Sequence, residues 1–438
     1  MTKNRRTPNQ VTTSTGTLER LTELEAIRER VLAGDYAGAL ELAQAVQNPP
    51  PVVDYWRGIC LTGLGSERAV EAKHVLKLAL ARGYAGAVGM LAAAERLAGE
   101  NREYLKQINP ADYSGFDAYD RAALLREIGI SYEDDDLATA TKHLEAAWKT
   151  AQSGPHAKLQ LAFVGHVYGT MLRKCGFDAR ALPILTEALK FTSRTRRVDL
   201  LYLRCLINLE LHNLEAVELD LAEMKMFIPS NPELPPVVVY TEARLARARG
   251  GDNLPLALSL FEQAAELGRI AETDTEFFGV FGACSVQLER GIPATVLKQK
   301  QAYDADIVEV GAENYHLQML DLAETPRLRA FTALREALIL ASKFDPRAVD
   351  IALKAVDAFR ELHHRREEGW ALLTLAETHL FLNQGQANAE AVAALERASE
   401  IGLELGVVMF ARELRLLPRV RSFLGDLEAD STLRELLV

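Results

Sequence analysis

Residues Phe163 to Leu189 read FVGHVYGTMLRKCGFDARALPILTEAL. Apolar residues recur at helical spacing on both sides of Gly176, and the link between the two segments is only a few residues long. A short link of this kind joins two antiparallel helices into a hairpin. Gly169, Ala181 and Ala188 are small enough to let the two backbones approach closely, and Leu185 fills the seam between them. This hairpin is the unit that the rest of the chain repeats.

Working outward, the first copy carries Leu18, Leu21, Leu24, Ile27 and Val31 on one helical face and stops at Gly34. Gly34-Asp35-Tyr36 follows, then Ala39, then a second helix with Leu40, Ala43 and Val46 that Pro49-Pro50-Pro51 ends. Further copies are expected around Tyr55 to Ala79, from Met90 through Gly99 and Tyr104 to Asn109-Pro110, and from Leu124 to Ala147. A looser copy carries Leu203, Leu206, Leu209 and Ala216; a clear one carries Leu245, Gly250-Gly251, Ala257, Phe261 and Ala264. Two more run from Leu328 to Leu362 and from Glu367 to Gly406.

The turn Gly-Asp-Tyr, then alanine, then proline after the second helix is similar to the tetratricopeptide repeat. The marker alanines Ala39, Ala72, Ala140, Ala181, Ala216 and Ala257 carry the resemblance along most of the chain. Their irregular spacing, with Trp370, Leu375-Ala376-Glu377, Gly385, Ala391, Leu395 and Ala398 in the last copy, resembles the tetratricopeptide-like regions of MalT-type bacterial regulators. The resemblance implies an all-α, right-handed superhelix (an α-solenoid) of about nine or ten helix pairs. The expected organisation is a disordered tail at 1–17, an N-terminal array at 18–290, an atypical helical joint at 291–327, and C-terminal repeats with capping helices at 328–438.

Composition agrees with helix nearly everywhere. Apolar residues are 48%, charged residues 25% and aromatics only 7% of the 438 residues, with alanine and leucine dominant. The net charge of −11 argues against the body as a nucleic-acid platform. Cys60, Cys175, Cys205 and Cys284 lie far apart without paired-ligand spacing, so buried reduced thiols are expected rather than disulfides or a metal site. The N-terminus lacks the apolar segment of a secretory signal, and no apolar run approaches the ~20 residues of a membrane helix. A cytoplasmic location without membrane partners is the expectation.

Chemistry-bearing clusters are few. Glu133-Asp134-Asp135-Asp136 precedes the helix from Leu137 and reads as a cap rather than a calcium loop. Gly63-Leu64-Gly65 and Gly83 to Gly89 follow no strand and lack the Lys-Ser/Thr ending of a phosphate loop. His363-His364-Arg365-Arg366 reads as a basic cluster past a helix end, favourable to the dipole, with a grip on an acidic group as the alternative. No catalytic motif, cofactor motif or metal-ligand spacing is present.

The binding surface follows from geometry. In stacked hairpins the first helix of each pair lines the concave face, which directs His166, Thr170, Arg173 and Lys174 toward the groove. Arg57, Tyr132, Arg244 and Arg249 occupy related places in other copies. The resemblance implies that such positions grip a peptide. The sequence reading is a non-catalytic scaffold for a protein or peptide partner. The alternative is a MalT-like sensor that binds an effector and controls transcription. The C-terminal helices, with Leu414, Leu417, Val420, Phe423 and Leu424, cap the array or form a homodimer contact.

Overall fold

The computed structural model describes residues 15–133, 136–154, 159–192, 194–230, 235–296, 302–383 and 388–405. Among these the regular elements are nineteen α-helices and six short 3-10 segments, with no strand. The terminal helices expected to cap the array or to dimerise lie outside the described residues.

The helices follow one another as hairpins. The first pairs are α1 (Thr15–Leu32) with α2 (Tyr36–Ala45), and α3 (Pro51–Gly63) with α4 (Ala69–Ala81). Next comes α5 (Ala87–Leu97), then the pair α6 (Ala118–Ser131) and α7 (Leu137–Gln152). The remainder comprises α8 (Leu159–Lys174) with α9 (Asp178–Ala188), α10 (Arg194–Glu210) with α11 (Leu214–Lys225), and α12 (Pro235–Arg249) with α13 (Leu254–Ile270). The last three pairs are α14 (Thr275–Val296) with α15 (Ala302–Leu322), α16 (Pro326–Ser342) with α17 (Arg347–Glu361), and α18 (Arg365–Leu382) with α19 (Ala389–Leu405).

The seam within each pair follows the rule read from the opening stretch. A methyl group on Gly169 would stand 2.5 Å from Leu185, and one on Gly129 2.7 Å from Leu144. Gly58 faces Leu76 in the same way, and Gly282 of α14 makes the same kind of contact with Phe261 of α13, between one pair and the next. On the second helix the large residue lies between two alanines, four residues after one and three before the other. Ala72-Leu76-Ala79, Ala140-Leu144-Ala147, Ala181-Leu185-Ala188, Ala257-Phe261-Ala264 and Ala391-Leu395-Ala398 are all buried. Burying each leucine is worth roughly 1.5–3 kcal/mol, and the glycine opposite is what makes room for it.

Two expectations need correction. In α11 the seam residue is Val217, fully buried, and not Ala216, which is half-buried; Leu221 and Met224 complete the pattern one position later than read. The copy begun by α5 also has no second α-helix. The 3-10 segments Glu103–Gln107 and Pro110–Tyr113 take its place, and Leu105 fills the seam against Ala92, Leu124 and Ile128. Asn109 caps the start of the second segment, its side chain accepting from the Ala111 N–H at 3.2 Å, and Pro110 lacks the N–H that a continuing helix would use.

Packing also runs between first helices of adjacent pairs, α1 on α3, α3 on α5, α12 on α14, α14 on α16 and α16 on α18. First helices are therefore flanked on both sides, and second helices keep one face in water. α18 buries almost every residue from Arg366 to Thr378, whereas α17 buries only Ala348, Ala352, Ala355, Val356 and Phe359. The turn between α8 and α9 is closed by Gly176 at φ 84°, a left-handed conformation that costs a residue with a Cβ ~1–2 kcal/mol.

The chain forms two compact units, one of Met1–Val167 with Phe191–Arg194 and one of Tyr168–Lys190 with Thr195–Val438. The segment 291–327, read as an atypical joint, contains the end of α14 and α15, and these two helices pack on each other as a pair. Among the described residues no helix is long and apolar enough to cross a membrane.

Leu185→Ala is expected to destabilise the α8–α9 hairpin by ~2–5 kcal/mol through the cavity it leaves, and Gly169→Val by ~1–3 kcal/mol through overpacking. Hydrogen exchange resolved to α8 and α9 measures both. Protection unchanged from wild type would show that this seam does not hold the pair together.

Candidate functional site

In the second unit the first helices of six successive pairs surround a cavity of about 180 Å³. Their side chains arrive at helical spacing. α12 contributes Tyr240, Arg244 and Arg247, and α14 contributes Phe278, Phe281 and Gly282. α16 supplies Arg327, Phe331, Leu334 and Arg335, and α18 supplies Arg366, Glu367, Trp370 and Thr374. Arg173 enters at the end of α8, Glu210 at the end of α10, and Phe261 reaches in from α13 over Gly282. One turn per step keeps each set on a single face of its helix.

The wall is aromatic. Phe331 meets Phe281 edge-on at 5.4 Å between centroids and Phe278 at 6.3 Å. Arginines lie over these rings, Arg335 at 4.2 Å from the Phe281 centroid and Arg327 at 5.4 Å from that of Phe331. Arg244 covers Tyr240 at 5.9 Å. Flat guanidinium groups suit such stacking, and the rings keep water away from them.

Six arginines and two glutamates line the space. Arg244 pairs with Glu210 at 2.8 Å, and Arg247 with Glu289 through its Nε at 2.8 Å. Glu367 is shared, 3.2 Å from both Arg327 and Arg366. Arg366 also faces Asp178 of α9 at 3.6 Å. Burial alone would raise the Glu367 carboxyl, but the Arg366 and Arg327 charges outweigh it and bring it down to about 2. At Asp178 burial wins, pushing the carboxyl up to about 6 against the pull of Arg366 and Arg173. Burial and then the neighbouring Arg366 cation push Arg173 down to about 10, with Asp178 and Glu210 opposing.

This cluster is unlike the buried ionic cluster of the first unit. There Glu127, fully buried, takes Arg96 and Arg102 at 3.1 Å each and Arg126 at 2.9 Å, while Arg126 also donates to Gln160 at 2.6 Å. No buried polar side-chain atom of that group is left without a hydrogen bond, as expected of a structural knot. Around the cavity the opposite holds. Arg173 Nε, Arg327 Nε, Arg335 Nε and Arg366 Nη1 are buried donors without a hydrogen bond, and Glu210 Oε2, Glu367 Oε2 and both Asp178 oxygens are buried acceptors without one; Arg366 Nη1 and Asp178 Oδ2 face each other only as an ion pair at 3.6 Å. Leaving such groups unmet costs ~1–3 kcal/mol apiece, and bound water or a polar ligand would relieve that cost.

Of the residues read from the sequence as groove-facing, Arg173 and Arg244 line this cavity. Thr170 and Lys174 are half-buried on α8 but outside the lining, and Arg249 closes α12 in an ion pair with Glu218. His166, Arg57 and Tyr132 belong to the first unit. There Arg57 pairs with buried Asp54 at 3.2 Å, and Tyr132 donates to the Lys106 carbonyl at 3.1 Å while stacking on His143. Phe278, Phe281, Phe331, Arg335 and Trp370 were not singled out as site residues. The signal available was their i, i+3, i+4, i+7 spacing along first helices, which looks the same as core spacing.

The reading of His363 to Arg366 as a cluster past a helix end is corrected. His363, at φ 56°, and His364, the N-cap of α18, lie in the connection, and Arg365 and Arg366 form the first turn of α18. A helix start disfavours cations, and carboxylates compensate: Glu368 and Glu404 hold Arg365 at 2.8 and 2.7 Å, while Glu367 and Asp178 hold Arg366. Asp136 caps α7, accepting from the Thr139 N–H at 3.0 Å; Asp134 and Asp135 lie outside the described residues. The four cysteines form no disulfide among the described residues, and three are buried; Cys175 is half-buried. Burial pushes the Cys60 and Cys284 thiols up to about 12.

These paired helices, with first helices stacked on one another, make the chain a tetratricopeptide-like α-solenoid. No protein-family model matches it, and neither does any curated protein. Among solved structures it is similar to a Rap protein complexed with competence and sporulation factor, with a TM-score of 0.53 and 11% identity over 89% of this chain and 99% of that one. It is also similar to the Rap conjugation gene regulator of plasmid pLS20 in complex with a Phr peptide, at TM-score 0.50 and 10% identity over 88% and 97%. At such identities the likeness establishes the fold.

Asp178 holds its proton more tightly in the folded chain than in the unfolded one, where a carboxyl titrates near ~3.9. Its contribution to stability is therefore most favourable at low pH and declines as pH rises through about 6. Measured against Asp178→Asn, the wild type is expected to lose on the order of 1–2 kcal/mol between pH 4.5 and pH 7. A difference that stays flat, or grows in favour of the wild type with rising pH, would contradict this assignment.

Proposed function

We propose that the chain is a non-catalytic scaffold that holds a peptide, or an extended segment of a protein, in the cavity framed by α8, α10, α12, α14, α16 and α18. One observation carries the reading: the same cavity presents buried donors and buried acceptors that have no hydrogen bond. A peptide backbone offers both C=O and N–H groups along its length, so it can meet both sets at once. A purely apolar ligand would leave all of them unmet. The aromatic wall supplies the apolar contact that such a ligand needs in addition.

The fold supports the same reading by analogy, since both Rap proteins named above were solved with a bound factor or peptide. The arginines converge on a space of about 180 Å³, which is far too small for a nucleic-acid duplex. Their concentration thus favours a short chain segment over DNA.

Synthetic peptide pools titrated against the full chain test the proposal. Pools that bind are expected to lose at least about ten-fold in affinity on Trp370→Ala, a change of about 1.4 kcal/mol, and to be unaffected by Lys149→Ala on the exposed face of α7. Absence of binding by every pool, or binding that survives Trp370→Ala with the melting temperature unchanged, would sink it.

A further inference from the structure

We infer that the cavity selects a peptide residue that places a carboxylate beside an apolar side chain, with Arg335 and Arg173 receiving the carboxylate and the Phe278–Phe281–Phe331 wall receiving the side chain. The inference rests on the reading that the cavity holds a peptide and goes further by naming what is recognised.

Charge is the first argument. Of the six lining arginines, Arg244, Arg247, Arg327 and Arg366 are each held by a carboxylate of the chain. Arg173 and Arg335 make no ion pair or hydrogen bond with any carboxylate among the described residues, and the Nε of each is buried without a hydrogen bond. Counting the carboxylates behind the lining, Asp178, Glu289 and Glu377, together with Glu210 and Glu367, arginines still lead by six to five. An arginine cannot relieve this by losing its proton at neutral pH, because its guanidinium stays charged. The Phe281 face against Arg335 offsets part of the cost, but a cation–π contact is worth only ~0.5–2 kcal/mol, whereas a carboxylate can take two parallel N–H bonds from a guanidinium.

Size is the second argument. About 180 Å³ is smaller than the ~300 Å³ and more of sites for drug-sized ligands, so the cavity admits a residue or two and not a folded element. Those residues must be apolar where they meet Phe278, Phe281 and Phe331 and anionic where they meet Arg335. Two sources supply that chemistry: the free C-terminus of a peptide with an apolar last residue, or an aspartate or glutamate next to an apolar residue within a chain.

Fluorescence polarisation with hexapeptide pools of three kinds separates these sources: C-terminal acids, the matching C-terminal amides, and amides carrying Asp or Glu beside Leu or Phe. At least one carboxylate-bearing kind is expected to bind about ten-fold or more tightly than plain amides. Arg335→Gln and Arg173→Gln should abolish that preference, so that acids and Asp/Glu amides bind each variant no more tightly than plain amides bind the same variant. Arg335→Lys should restore part of it, because the charge remains although the planar fork is lost. A C-terminal source is indicated if only the acids gain, an internal one if the Asp/Glu amides gain. Equal binding of all pools, indifferent to Arg335→Gln, overturns the carboxylate inference and leaves peptide binding standing. No binding by any pool overturns both.

Discussion

Close approach of two helix backbones is the constraint from which the rest of this structure follows. Gly58, Gly129 and Gly169 each stand where a Cβ would collide with the large residue of the partner helix, and Gly282 stands so against the second helix of the preceding pair. That residue, Leu76, Leu144, Leu185 or Phe261, is fully buried between two alanines. The contact sets the distance within each hairpin, and repetition of the hairpin stacks the first helices against one another. Stacking then turns one face of every first helix inward. The cavity exists because six such faces meet.

Much of the fold was legible from residues 163 to 189, because small-large-small spacing has a direct steric meaning that survives without any knowledge of neighbours. Legibility failed where another residue type could satisfy the same constraint. Val217 and Met224 fill the α11 seam where the alanine rule pointed to Ala216. Leu105 on a 3-10 segment does the work of an entire second helix after α5, which no helical period could signal. The hairpin turns show the same substitution, with Gly34, Gly176 and Gly250 in the left-handed conformation in some pairs and His212, Phe344 and His363 in others.

The site was legible only in part, for a reason of dimension. Period along one helix says which residues share a face, and this directed attention to Arg173 and Arg244, which line the cavity. It does not say which faces of helices nearly two hundred residues apart will converge. Asp178 and Arg366, 3.6 Å apart, lie at the starts of α9 and α18. Nor could the sequence distinguish the satisfied ionic knot around Glu127 from the unsatisfied one around Glu367. Both read as arginines and glutamates on helices. The difference lies in geometry, which leaves one cluster fully hydrogen-bonded and the other with polar atoms unmet.

The cavity lining draws one or a few residues from each of six successive pairs, and hardly any from the outer helices. Repeat arrays ordinarily change length by gaining or losing whole units, since each unit touches mainly its neighbours. In this stretch that freedom is removed. Deleting the α12–α13 pair would take Tyr240, Arg244, Arg247 and Phe261 out of the lining. The number of repeats in the second unit is thus tied to the lining of the cavity, a constraint that the outer helices, which contribute only Phe261 to it, largely escape.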